Sequence, residues 1–107
     1  MGIHAPSHLS KAAKAFWRQI QHEYSVTDGA GLRILANACE CMDRAEAARA
    51  QINREGLTVK NRMGTSVVNP LCNVERDARS GMLQSLKALN LDIEPLRDGP
   101  GRPGNRR

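Results

Sequence analysis

The residues most suggestive of chemistry are Cys39-Glu40-Cys41, Cys72 and the histidines His4, His8 and His22. Their spacing argues against a metal centre. Cys39 and Cys41 fall in a segment with helical periodicity, where residues two apart point about 200° away from each other. Two thiolates so arranged cannot close on one ion. Neither Cys72 nor the histidines complete a zinc spacing. The cysteines read instead as small apolar side chains, and no metal or cofactor is expected. Nucleophilic chemistry fares no better: there is no glycine-flanked serine elbow and no Cys–His pairing at a useful spacing. A G-x-x-x-x-G-K-[ST] phosphate loop is also missing from the sequence. The expectation is a protein that is not an enzyme.

Charge is the more informative chemistry. Residues 1–22 carry Lys11, Lys14 and Arg18 without an acid, and residues 97–107 carry four arginines against Asp98. The stretch between holds nine basic and ten acidic residues, so the net charge of +5 resides at the two ends. A near-neutral body with basic ends suits a polyanion, most often nucleic acid. On a helix, Lys11, Lys14, Arg18 and His22 share one face, which makes them the candidate DNA contact on a folded element. In the tail, Gly101-Arg102-Pro103-Gly104 partly resembles the core of a minor-groove hook, but Pro100 precedes it where an arginine is expected. Arg102, Arg106 and Arg107 therefore read as nonspecific phosphate contacts whose affinity falls steeply with salt. Glu75 borders an apolar stripe and has Arg79 one turn on. It can pair there, or with a basic residue from another helix or subunit.

These side chains need elements to hold them. The length allows one domain, and the only aromatics, Phe16, Trp17 and Tyr24, fall in a single window. The pattern predicts an all-α fold of three main helices, at about 10–24, 28–55 and 70–89, with a short β-hairpin or extended segment over 57–68. Residues 1–9 would form an N-terminal arm, 10–96 a single helical domain and 97–107 a flexible basic tail. Ser10 caps the first helix, which turns Ala13, Phe16, Trp17, Ile20 and Tyr24 to one side. Thr27 or Asp28 caps the second, whose stripe of Leu35, Ala38, Met42, Ala45 and Ile52 suits helix packing. Gly56 would end it in a Schellman motif with Leu57 against Ile52, and Glu40 would pair with Arg44. Asn69 and Pro70 open the third helix, with Leu71, Val74, Ala78, Met82, Leu86 and Leu89 inward. Asn90 would close it, returning Leu91 onto Leu86. A helix roughly 40 Å long with one short neighbour on either side argues for self-association, and Leu35, Met42, Ala45, Ile52 and Leu83 are the candidate oligomer interface. No apolar leader or membrane-length run is evident, so the three cysteines are expected to be free thiols in a reducing compartment.

Several landmarks recur in order: His8-Leu9-Ser10 opening a helix with Trp17, a long alanine-rich helix closing at Gly56-Leu57, the Gly64 turn, Asn69-Pro70, and Leu89-Asn90-Leu91 before Pro95. Together they resemble the small all-helical class of phage terminase small subunits, over about residues 8–96. The resemblance implies a non-enzymatic partner of the terminase large subunit, which carries the ATPase and nuclease. It implies a homo-oligomer, a ring in such subunits, that engages double-stranded viral DNA in the cytoplasm of the bacterial host and has no membrane association. Two other readings fit the residues: a dimeric helix-turn-helix regulator turning at Ser25–Gly29, and a helical oligomerisation module with no nucleic-acid role. The second half of the long helix is too acidic for a usual recognition helix.

Overall fold

The computed structural model describes residues 3–90. Three helices carry the fold: α1 (Lys11–Tyr24), α2 (Gly29–Glu55) and α3 (Leu71–Ala88), with strands β1 (Thr58–Lys60) and β2 (Ser66–Val68) between the last two. The expected all-α architecture with its hairpin is present. Each helix starts where a polar side chain replaces a missing backbone partner. Ser10 Oγ accepts from the Ala13 N–H at 3.0 Å, and Asp28 Oδ2 accepts from the Gly31 N–H at 2.9 Å. Asn69 Oδ1 accepts from the Leu71 N–H at 3.0 Å, while Pro70 already has helical angles. The α3 boundary thus matches the expected cap and first turn to within a residue. At its far end Asn90 takes φ 59, the left-handed closing residue.

α2 is the spine, about 40 Å long at 1.5 Å per residue. α3 runs antiparallel to it, as the pairs Asn37–Ser85, Arg49–Glu75 and Glu55–Asn69 show. α1 also runs antiparallel, but only beside the first half: its start lies at Asp43, and its end turns straight into α2. In the first half Leu9, Ala13, Trp17, Ile20, Val26, Leu35 and Cys39 form one buried cluster, with Leu32, Ala36 and Leu89 packed on it. Burying such side chains contributes about 1.5–3 kcal/mol each before entropy is counted. In the second half the buried apolar residues, among those described, are Ala45, Ala48 and Ala78. Small side chains let α2 and α3 approach closely there.

The two thiols of Cys39-Glu40-Cys41 diverge as the helical geometry requires. Cys39 enters the α1-side cluster, whereas a Cβ built on Gly81 of α3 would meet the Cys41 sulfur at 3.1 Å. Burial, then Asp43 and Glu40 nearby, pushes the Cys39 thiol up to about 12, so it stays protonated.

The hairpin pairs Thr58 with Val68, Val59 with Val67 and Lys60 with Ser66. Its loop is the three-residue type, with Gly64 at φ 81 where a Cβ would be strained. Asn61 Oδ1 accepts from the Met63 and Thr65 N–H groups and stiffens the turn.

Several expectations need correction. Leu35 (0% exposed) and Ala45 (5%) are buried inside the protomer and have no surface left for a second copy. Leu57 is 70% exposed instead of covering Ile52, because Gly56 takes φ 101, ψ 166 and directs the chain into β1. Val74, expected inward, is 39% exposed, since α1 does not reach that far along α2. Glu40 accepts from His8 at 2.8 Å in place of Arg44. Leu9, the last residue of the expected arm, is in the core. Leu91 and the basic tail lie outside the described residues.

Candidate nucleic-acid interface

The cationic stripe follows from how α1 is anchored. Its apolar face is committed to α2 through Ala13, Trp17 and Ile20, which fixes the rotation of the helix. The Ser10 backbone N–H and Oγ both donate to the Asp43 carboxylate, at 2.8 and 2.5 Å, which pins its first turn. His8 on Glu40 adds a second tie. The opposite face is thereby presented outward: Lys11, Arg18 and His22 are exposed and Lys14 is half-buried. The stripe spans about 16 Å along the axis at 1.5 Å per residue. That is close to five base-pair steps of duplex, at about 3.4 Å each.

These cations differ from those of the α2–α3 seam in having no partner. Arg49 bridges Glu46 and Glu75, Arg79 bridges Glu75, and Arg76 lies 3.7 Å from Asp77. Among the described residues no carboxylate pairs with Lys11, Lys14 or Arg18. The first turn of α1 also contains no acid. A phosphate approaching α1 meets positive charge that is not already neutralised.

Glu75 marks the contrast. Its carboxylate accepts from Arg79 at 3.1 Å through both oxygens and from Arg49 at 2.8 Å, so it joins α3 to α2 as well as making the local pair. Hydrogen bonds from Arg79 first, then Arg49, hold its carboxyl below the ordinary range and raise both guanidinium values. That network is structural and leaves no free cation for a ligand.

Of the other candidate residues, Met42 and Ile52 are half-buried on α2 and Leu83 is 55% exposed on α3. The three do not form one patch with Leu35 and Ala45. Arg102, Arg106 and Arg107 lie outside the described residues. The pattern overlooked the hairpin, where Leu57, Met63 (85% exposed) and Val68 (67%) are all presented to solvent. A signal for it was available. A two-stranded hairpin is marginal alone in water, and among the described residues nothing covers the apolar side chains of this one.

The helix-turn-helix alternative does not fit this geometry. Such helices cross at about 90–120°, whereas α1 lies back along α2 from its end to its start. None of the described helices is long and apolar enough to cross a membrane. Among known proteins, a family model described as phage terminase, small subunit, matches residues 13–95. No curated protein and no solved structure matches.

Proposed function

The chain belongs to the phage terminase small-subunit family, which gives it a role in phage DNA packaging, and from that premise we propose that it is the non-catalytic, DNA-binding regulatory subunit of the packaging machine. It works in the host cytoplasm as a closed homo-oligomer that engages double-stranded viral DNA and the large-subunit motor. Residues 10–96 act as the single folded domain and 97–107 as a basic extension. The observation that carries the reading is the unneutralised stripe Lys11, Lys14 and Arg18, held outward by an apolar face and a pinned first turn.

The mechanism is electrostatic and geometric. Each protomer supplies about three cations, whose neutralisation of phosphates releases counterions; this gives weak, salt-sensitive binding. Several copies on one duplex convert weak contacts into avidity. Assembly uses exposed apolar surface: the hairpin residues Leu57, Met63 and Val68, and Leu83 on α3. These surfaces lie at different places on the protomer, which suits a head-to-tail contact that closes into a ring.

The test is duplex binding by Lys11→Glu with Arg18→Glu, compared with Arg76→Glu, which carries a charge reversal on α3. The α1 double variant should bind at least tenfold more weakly at about 0.1 M salt and show a flatter salt dependence. Equal losses in both variants, or none in either, would move the interface elsewhere.

A further inference from the structure

We propose that the turn of the hairpin is a second contact for duplex DNA, made through Lys60 and Arg62; the inference rests on the DNA-binding reading above and adds a separate site to it. Between Glu55 and Glu75 the sequence holds these two cations and no acid. Both are exposed, and among the described residues neither forms an ion pair with a carboxylate. A lysine on a strand edge can serve merely to block pairing with another strand. Arg62 lies in the turn beyond β1, where there is no ladder to protect.

The turn is built to hold the pair in place. The Asn61 N–H donates to the Thr65 carbonyl at 2.9 Å, and the Gly64 N–H donates to the Asn61 carbonyl at 2.9 Å. Asn61 Oδ1 closes the loop by accepting from the Met63 and Thr65 N–H groups, at 2.9 and 3.0 Å. A backbone already fixed in this way leaves only side-chain freedom to be lost on binding. Lys60 and Arg62 are separated by at most about 7 Å of chain. That is about two base-pair steps of duplex, at about 3.4 Å each.

Charge selects the partner. Every carboxylate among the described residues already accepts a hydrogen bond or lies in an ion pair. Those residues of a second copy therefore offer the turn no free acid, whereas each phosphate of a duplex carries a charge whose counterion is released on contact. The apolar side chains of the hairpin keep their part in assembly, which leaves Lys60 and Arg62 for the polyanion. The site is distinct from the α1 stripe. α1 starts beside Asp43, and the hairpin begins beyond Gly56, about 20 Å farther along α2. The two sets of cations neutralise different phosphates, so the contacts per protomer rise from about three to about five.

The test compares charge-removing pairs in the full chain on a mixed-sequence duplex. They are Lys60→Gln with Arg62→Gln, Lys11→Gln with Arg18→Gln, and Arg33→Gln with Arg44→Gln, the last two being exposed α2 cations outside both sites. The hairpin pair should bind at least about tenfold more weakly at about 0.1 M salt, with a log–log salt slope shallower by about 2. Its assembly mass should equal that of the native chain. The α2 pair should change affinity less than about threefold. In parallel, an iron–EDTA cleavage reagent on Thr65→Cys, in a Cys72→Ser background that leaves only the buried Cys39 and Cys41, should cut the bound duplex. A hairpin pair that binds like the native chain, while the α1 pair is weakened, would overturn this inference and leave the α1 reading intact. Losses no larger than those of the α2 pair, a reduced assembly mass accompanying the loss, or no cleavage from position 65 would each overturn it as well. Failure of the native chain to bind duplex would overturn both.

Discussion

The two halves of α2 are stabilised by different physics. The first half lies between α1 and α3 and buries Leu35, Ala38 and Cys39 completely, with Trp17 and Ile20 over them. Among the described residues the second half has α3 alone beside it, and its buried apolar residues are alanines. Polar junctions replace the missing core. Glu75 joins Arg49 and Arg79, and Asn69, 1% exposed, donates to Glu55 Oε1 and the Gly56 carbonyl while accepting from Leu71. The hairpin continues from that thin end with its apolar residues uncovered. One end is complete as a protomer, and the other has the character of surface awaiting a neighbour. The cationic stripe sits on the well-packed end and the proposed contact between copies on the open one.

The largest effect should come from the complete half. Trp17→Ala removes the principal side chain of the core and should cost about 3–5 kcal/mol in urea unfolding. A loss under about 1 kcal/mol would mean that α1 is not essential to the fold.

Next is the junction at the other end. Asn69→Ala leaves the Gly56 carbonyl and the first N–H of α3 without their side-chain partner and should cost about 0.5–2 kcal/mol. If Asn69→Ala proves as costly as Trp17→Ala, the ranking of the two halves is reversed.

A smaller effect is expected at Glu75. Its carboxyl is held below the ordinary value of 4.5, so its stabilisation is fully present above that pH and is lost as pH falls through the lowered value. Unfolding midpoints measured from about pH 7 down to about pH 3 should fall less steeply for Glu75→Gln than for the native chain. Identical acid limbs would show that the Arg49 and Arg79 bonds do not outlast solvent competition.

The smallest effect on the protomer belongs to the hairpin. Leu57→Ser with Val68→Ser should leave unfolding of the protomer within about 0.5 kcal/mol, because both side chains are already in water. The same pair should weaken self-association, seen as a shift to lower mass on dilution. Strong destabilisation of the protomer would instead show that the hairpin is packed internally.

What could be read from the sequence was what local rules govern. Ser10, Asp28 and Asn69 announce helix starts through hydrogen bonds to N–H groups two or three residues away, and Gly64 announces a turn through its own φ. The amphipathic face of α1 was legible for the same reason, and with it the cationic stripe. The second role of Asn69, the tie from Ser10 to Asp43 and the reach of Glu75 to Arg49 depend on helix register, which one sequence does not specify. Leu35 and Ala45 show the limit of periodicity. A stripe of apolar residues says that something covers a face, and not whether that cover comes from the same chain or another.

The most direct test of the central claim is the mass of the intact chain in solution by native mass spectrometry, over a range of concentrations. The account predicts a discrete closed assembly of more than two copies that dissociates when Leu57 and Val68 are made serine. A strict monomer at every concentration, with the hairpin substitutions changing nothing, would contradict it.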